Sequence, residues 1–210
     1  LFLTVTTLLL GFLLGMVITL MRLSSSKVLN GFAHGYVWIF RGTPLLVQLI
    51  IIYTGLPQLG FVRLSVFQSA IIGLALNEAA YLSEILRGGI LSVGVGQRDA
   101  ARSLGLNRRQ AFLLVTMPQA LRVIIPPLGN SVNGLLKTTS IASVISMEEL
   151  LRRGQILMQQ RFEVLEIFCV VAILYLLMTT CWDLVQRRIE AYFGKAYGPV
   201  DTTQHVRDDR

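Results

Sequence analysis

The chain has 210 residues, of which 53% are hydrophobic and only 15% charged, with a formal net charge of +7. That balance is too apolar for an ordinary soluble domain and leaves room for one domain. The positive charge does not point to nucleic acid, because no basic face interleaved with stacking aromatics accompanies it.

A helix needs about 20 mostly apolar residues to cross the hydrocarbon layer of a bilayer. Five stretches approach that length: Leu1–Met21, Val28–Leu56, Leu64–Leu86, Val123–Ile145 and Val164–Val185. The first lacks the basic leader and small-residue cleavage site of a signal peptide, so it reads as a true span. It opens without an initiator Met, and a short preceding segment is expected. Gly11 and Gly15, four apart, allow close helix approach there.

The second stretch is interrupted by Arg41-Gly42-Thr43-Pro44. Proline with glycine frees backbone groups that lipid cannot satisfy, so the break is expected to face a cavity or another helix. A half-helix end at such a break can receive a charged ligand group. Arg41 is thus a candidate for holding a substrate carboxylate, with a kink braced by neighbouring helices as the alternative.

The third stretch carries Asn77, Glu78, Tyr81 and Glu84, with Arg87 just beyond it. Ionisable groups inside spans are costly unless paired or wetted, which makes each a functional candidate. Glu84 and Arg87 are three apart and suit a salt bridge near the membrane surface. Glu78 has no local counter-ion. Either it takes the ammonium of a ligand, or it pairs with Arg41 or Lys137 to hold the spans in register. Asn77 and Tyr81 are placed to line nearby parts of the same cavity.

Between the third and fourth stretches, Gly96–Gln110 reads as two short helices. Asp99 is expected in the first turn of the first, where a carboxylate suits the positive end of the dipole. Gly105 supplies a left-handed stop, and Asn107 with Gln110 makes a capping-box-like pair for the second. Ala100 and Ala101 beside Leu104 form a compact surface between basic residues, suited to a groove on a partner. A solvated helix pair is the alternative.

The fourth stretch is polar for a span, with Pro126, Pro127, Asn130, Asn133, Lys137 and Thr138-Thr139-Ser140, and is expected to face protein or a cavity. Met147–Phe162, with Glu148, Glu149, Arg152, Arg153 and Gln155, is a charged amphipathic segment, either a solvated helix or an outer docking or gating surface. In the last span Cys169 and Cys181 read as packing residues. Trp182, Tyr192 and Phe193 fit an interfacial aromatic belt, and a polar tail is expected over 191–210.

Cytoplasmic connections retain Lys and Arg. Basic residues concentrate after the first span (Arg22, Lys27), after the third (Arg87, Arg98, Arg102, Arg108, Arg109, Arg122) and after the fifth (Arg187, Arg188, Lys195, Arg207, Arg210). The opposite side holds only Arg63, Arg152, Arg153 and Arg161. The N-terminus is therefore expected outside and the C-terminus in the cytoplasm.

The run Asp99-Ala100-Ala101, three residues, Gly105, nine residues, then Val115-Thr116-Met117-Pro118 resembles the EAA loop of ABC importer permeases. That loop runs Glu-Ala-Ala, three residues, Gly, nine residues, Ile-x-Leu-Pro. Asp stands here for Glu, Val for Ile and Met for Leu. Phe40–Gln48, Tyr53–Pro57, Ala80–Ile90 and Pro126–Asn130 resemble the polar amino acid uptake permeases, which import histidine, arginine, glutamine and cystine.

The resemblance implies an all-α integral membrane protein of the bacterial cytoplasmic membrane, with a five-span type I importer core over residues 1–190 and a coupling loop at about 96–118. It implies that Asp99, Ala100, Ala101, Arg102, Leu104 and Gly105 dock on an ATPase. Arg41, Thr43, Gln48, Asn77, Glu78, Tyr81, Lys137, Thr138 and Ser140 are the substrate candidates. Lys137-Thr138-Thr139-Ser140 matches a frequent Lys-Asp-Thr-Ser of the family, with Thr138 replacing the acid.

The implied partners are two ATPase subunits carrying ATP and Mg, a second permease identical or paralogous, an extracytoplasmic solute-binding protein, the polar amino acid and lipid. Gly134-Leu135-Leu136-Lys137-Thr138 lacks the glycine before lysine that a phosphate-binding loop requires. The chain is therefore expected to be a transport subunit, not an enzyme, with no cofactor of its own. The competing expectation is an ion-coupled carrier or channel using Glu78.

Overall fold

The computed structural model describes residues 1–194, and every regular element in it is helical. In chain order these are α1 (Phe2–Arg22), α2 (Lys27–Gly42), α3 (Leu45–Gln58), α4 (Val66–Ser92), α5 (Val95–Ser103), α6 (Arg108–Ile145), α7 (Leu150–Arg161) and α8 (Val164–Gly194). Four of them, α1, α4, α6 and α8, are long and apolar enough to cross a membrane. Together α2 and α3 qualify as a fifth, broken span, bent by 104°. Lys195, Arg207 and Arg210, and the expected polar tail beyond Gly194, lie outside the described residues.

The break at Gly42-Thr43-Pro44 follows from local sterics. Proline disfavours a helical conformation in the residue before it, and Thr43 is extended, with φ −119° and ψ 146°. Helix α3 restarts after Pro44, whose missing N–H would have had no intrahelical partner in a first turn.

The long helix α4 is the most deeply buried of the candidate spans. Ser65 and Gln68 start it with a capping box, and small residues let its neighbours approach. Its longest partner is α1, packed along Gly11 and Gly15. A Cβ added at Gly11 would lie 3.2 Å from Glu78 Cβ, and one at Gly15 3.1 Å from the Ala79 carbonyl. On the other side, Gly89 admits Ile124 of α6 so closely that an added Cβ would overlap it. Leu86, Val93, Ala120 and Ile124 form the core there.

Helix α6 begins well before the expected Val123. It contains a widened π turn at Phe112–Thr116, so Pro118 does not end it, and it finishes as a tight 3₁₀ turn over Thr139–Ile145. Helix α8 packs on α6 and α7 and otherwise faces outward. Trp182 takes part in the contact with α6: its indole N–H donates to the Gly129 carbonyl at 2.8 Å. Cys169 and Cys181 are exposed on α8, not packed, because its apolar outer face is broad enough to hold both.

Candidate functional site

The broken α2–α3 pair, the middle of α4 and the Pro127–Thr138 part of α6 enclose an open cavity of about 830 Å³. Arg41, Thr43, Asn77, Glu78, Tyr81 and Thr138 of the sequence candidates line it. Gln48, Lys137 and Ser140 do not. Asn130, Ser131 and Gly134 complete the wall from α6. Sequence reasoning marked the polarity of that helix but not Ser131, although Pro127, Ser131, Gly134 and Thr138 recur at helical spacing and so share a face.

Gln48 works from behind the wall. Its amide donates to the carbonyls of Phe40 at 3.0 Å and Thr43 at 3.1 Å and to the Thr43 hydroxyl at 2.8 Å. Asn77 in turn donates to Phe40 O at 3.0 Å and Gln48 Oε1 at 3.1 Å. The bend leaves exactly such backbone carbonyls without helical donors, and these two amides satisfy them and tie the bend to α4.

The two carboxylates of the cavity have different surroundings. Glu84 meets three arginines: Arg22 at 2.5 Å, Arg87 at 3.0 Å and Arg41 at 3.5 Å. The local pair with Arg87 was readable from spacing, whereas Arg22 and Arg41 arrive from α1 and α2. Arg41 keeps 44% of its side chain exposed and also lies over the Tyr81 ring, 5.2 Å from its centroid. Glu78 pairs with neither Arg41 nor Lys137. It accepts a hydrogen bond from the Ser131 hydroxyl, and no cation faces it among the described residues. Lys137 is exposed on α6. Asp183, an acid inside the last span that sequence reasoning passed over, accepts from the Asn133 amide at 2.5 Å.

A second feature is the α5 segment. The helix starts one turn earlier than expected, because Gly94 acts as its N-cap, so Asp99 sits mid-helix and not in the first turn. It ends as foreseen: Gly105 has φ +85°, its N–H bonds Arg102 O at 3.0 Å, and Leu106 N–H bonds Ala101 O at 3.2 Å. This pair of bonds is a Schellman stop. Asn107 and Gln110 cap each other's backbone, both at 2.9 Å. Ala100 and Leu104 face outward, Leu104 at 84% exposure, while Ala101 is buried at the foot of α6.

Known proteins match this architecture. The arginine transport system permease protein ArgU of Corynebacterium glutamicum is 39% identical over 92% of this chain, which spans 65% of that protein's length. The glutamine transport system permease protein GlnP of Escherichia coli is 36% identical, covering 86% of this chain and 83% of its own. A crystal structure of an amino acid ABC transporter with histidines superposes with a TM-score of 0.85 at 38% identity, covering 90% of this chain and 88% of that one. The family described as "Binding-protein-dependent transport system inner membrane component" matches residues 8–194. The chain belongs to that family and is a membrane permease subunit of ABC importer type, not an enzyme.

Proposed function

We propose that the chain is the permease subunit of an ATP-driven importer of polar amino acids. The observation that carries this is the cavity at the broken span, where a half-exposed Arg41 and an unpaired Glu78 line one wall system. Arg41 receives the substrate carboxylate, and Glu78 with Ser131 receives its ammonium. Thr43, Asn77, Tyr81 and Thr138 supply the remaining polar contacts. Glu84 stays neutralised by its arginines and holds Arg41 in place. Relatives named for arginine and glutamine transport support the substrate class.

The bent α2–α3 pair counts as one of five spans, with the N-terminus outside and the α5 connection in the cytoplasm, a reading that the distribution of arginines supports. Two permeases, identical or paralogous, meet two ATPase subunits that bind ATP and Mg, and an extracytoplasmic binding protein delivers the amino acid. Ala100, Leu104 and the Gly105 stop present α5 as a rigid knob to the ATPase. ATP binding opens the cavity outward, and reset after hydrolysis opens it inward.

The test is uptake of radiolabelled arginine, histidine, glutamine, cystine and glutamate by the reconstituted complex. At least one is expected to enter saturably and to be displaced by its own α-amino acid relatives but not by the corresponding amine or acid alone. Uptake of none of the five, or equal displacement by analogues lacking either charge, contradicts the proposal.

A further inference from the structure

We infer that the cavity selects α-amino acids whose side chain is uncharged and ends in a carbonyl acceptor, a carboxamide or ureido group, and that it rejects a cationic side chain. On the transport reading above, on which this rests, Arg41 and Glu78 are engaged by the carboxylate and ammonium common to every amino acid. No charged group is then left for a cationic side chain. Glu84, the other acid on the wall, is occupied at both oxygens: Oε1 by Arg22 at 2.5 Å and Arg41 at 3.5 Å, Oε2 by Arg87 at 3.0 Å. Around the cavity three guanidiniums therefore stand against two carboxylates. A zwitterion leaves that positive excess unchanged. A cationic side chain adds to it, and like charges repel most where water is partly excluded.

Asn130 supplies an independent observation. The Gln186 side-chain nitrogen of α8 donates to the Glu190 carboxylate at 2.7 Å and to the Pro126 carbonyl at 3.4 Å, which fixes the orientation of the Gln186 amide. The same nitrogen reaches Asn130 Oδ1 at 3.2 Å, so Asn130 turns its oxygen to α8. Its own N–H₂ group finds no acceptor among the described residues, on an exposed residue that lines the cavity. Thr138, two turns further along α6, offers the same wall a neutral hydroxyl.

A free neutral donor suits a carbonyl oxygen. The guanidinium of an arginine substrate carries donors and no acceptor, so it would meet Asn130 donor to donor. A site built to hydrogen-bond one group rejects the analogue that lacks it. Citrulline has the length and shape of arginine with an oxygen in place of one terminal nitrogen, and the pair isolates this difference.

The experiment uses the detergent-purified permease–ATPase complex without a binding protein, so that only the cavity selects. Radiolabelled glutamine is bound and then challenged with unlabelled citrulline or arginine. Glutamine is expected to bind saturably and citrulline to displace it, with arginine weaker by at least about tenfold. Equal displacement by the two, or no binding of glutamine, overturns the inference. Asn130→Asp keeps the shape and the oxygen that faces Gln186 but exchanges the free donor for a charged acceptor. It is expected to move the preference toward arginine by at least about tenfold, a change that loss of packing alone does not produce. Thr138→Asp adds a carboxylate to the same wall and is expected to shift the preference the same way, which keeps the test in hand if the first variant does not fold. An unchanged preference in the folded variants also overturns the inference. Selective binding without ATP-driven uptake of glutamine contradicts the transport reading alone, whereas ATP-driven uptake with equal displacement by arginine and citrulline contradicts the selectivity alone.

Discussion

Glu78 and Glu84 sit six residues apart on one helix, yet Glu84 is ringed by three arginines while Glu78, among the described residues, has only the Ser131 hydroxyl. An unpaired carboxylate beside a polar cavity retains its capacity to bind a cation. Replacing it with the neutral amide, Glu78→Gln, is expected to raise the KM for uptake by about tenfold or more, the value of a charge-assisted hydrogen bond, with the protein still inserted. An unchanged KM in reconstituted vesicles would count against the ammonium role. Packing residues behave differently. Gly89→Ala drives a methyl into Ile124 and is expected to destabilise the protein by about 1–3 kcal/mol. Combining it with Ile124→Ala should cost less than the two changes separately, as coupled neighbours do, which thermal unfolding in detergent can check. At this scale the sequence exposed Glu78 and Glu84 as oddities in an apolar run. It did not expose Ser131 or the arrival of Arg22 and Arg41, because those contacts join residues about forty to sixty positions apart.

Local signals gave the elements that local chemistry controls. The break before Pro44, the Gly105 stop and the Asn107–Gln110 box all depend on neighbours within a few residues, and each stands where the sequence placed it. The start of α5 and the length of α6 were misjudged for one reason: a glycine N-cap and a π turn are both compatible with many sequences. Gly105→Pro forces φ from +85° to about −65° and removes an N–H bonded to Arg102. The expected result is a permease that inserts normally but loses most of its amino-acid-stimulated ATP hydrolysis. Hydrolysis at the wild-type level would show that the α5 stop has no part in coupling. Gln48→Leu should act through the bend, since it strips the side-chain donor from the Thr43 carbonyl and leaves the Phe40 carbonyl with Asn77 alone. Uptake is expected to fall at least severalfold, with a lowered melting temperature, unlike Glu78→Gln, which should leave melting nearly unchanged.

For the whole molecule, the family and the helical architecture agree with a permease, and the proposed orientation puts α5 in the cytoplasm. Leu104, fully presented to solvent, gives a direct probe of that side. With Cys169 and Cys181 replaced by alanine, Leu104→Cys should react with an impermeant maleimide in inside-out vesicles and not in intact cells. Charge distribution supplied the proposed orientation from sequence alone, whereas the proposed partners leave only the surfaces they would use. The central claim, that ATP hydrolysed by a separate subunit drives amino acid import through this chain, is tested most directly by uptake into proteoliposomes carrying the complex with its binding protein. Accumulation is expected with ATP and Mg on the α5 side and none with a proton or sodium gradient alone. Gradient-driven accumulation without ATP would contradict it and make Glu78 the ion site of a secondary carrier.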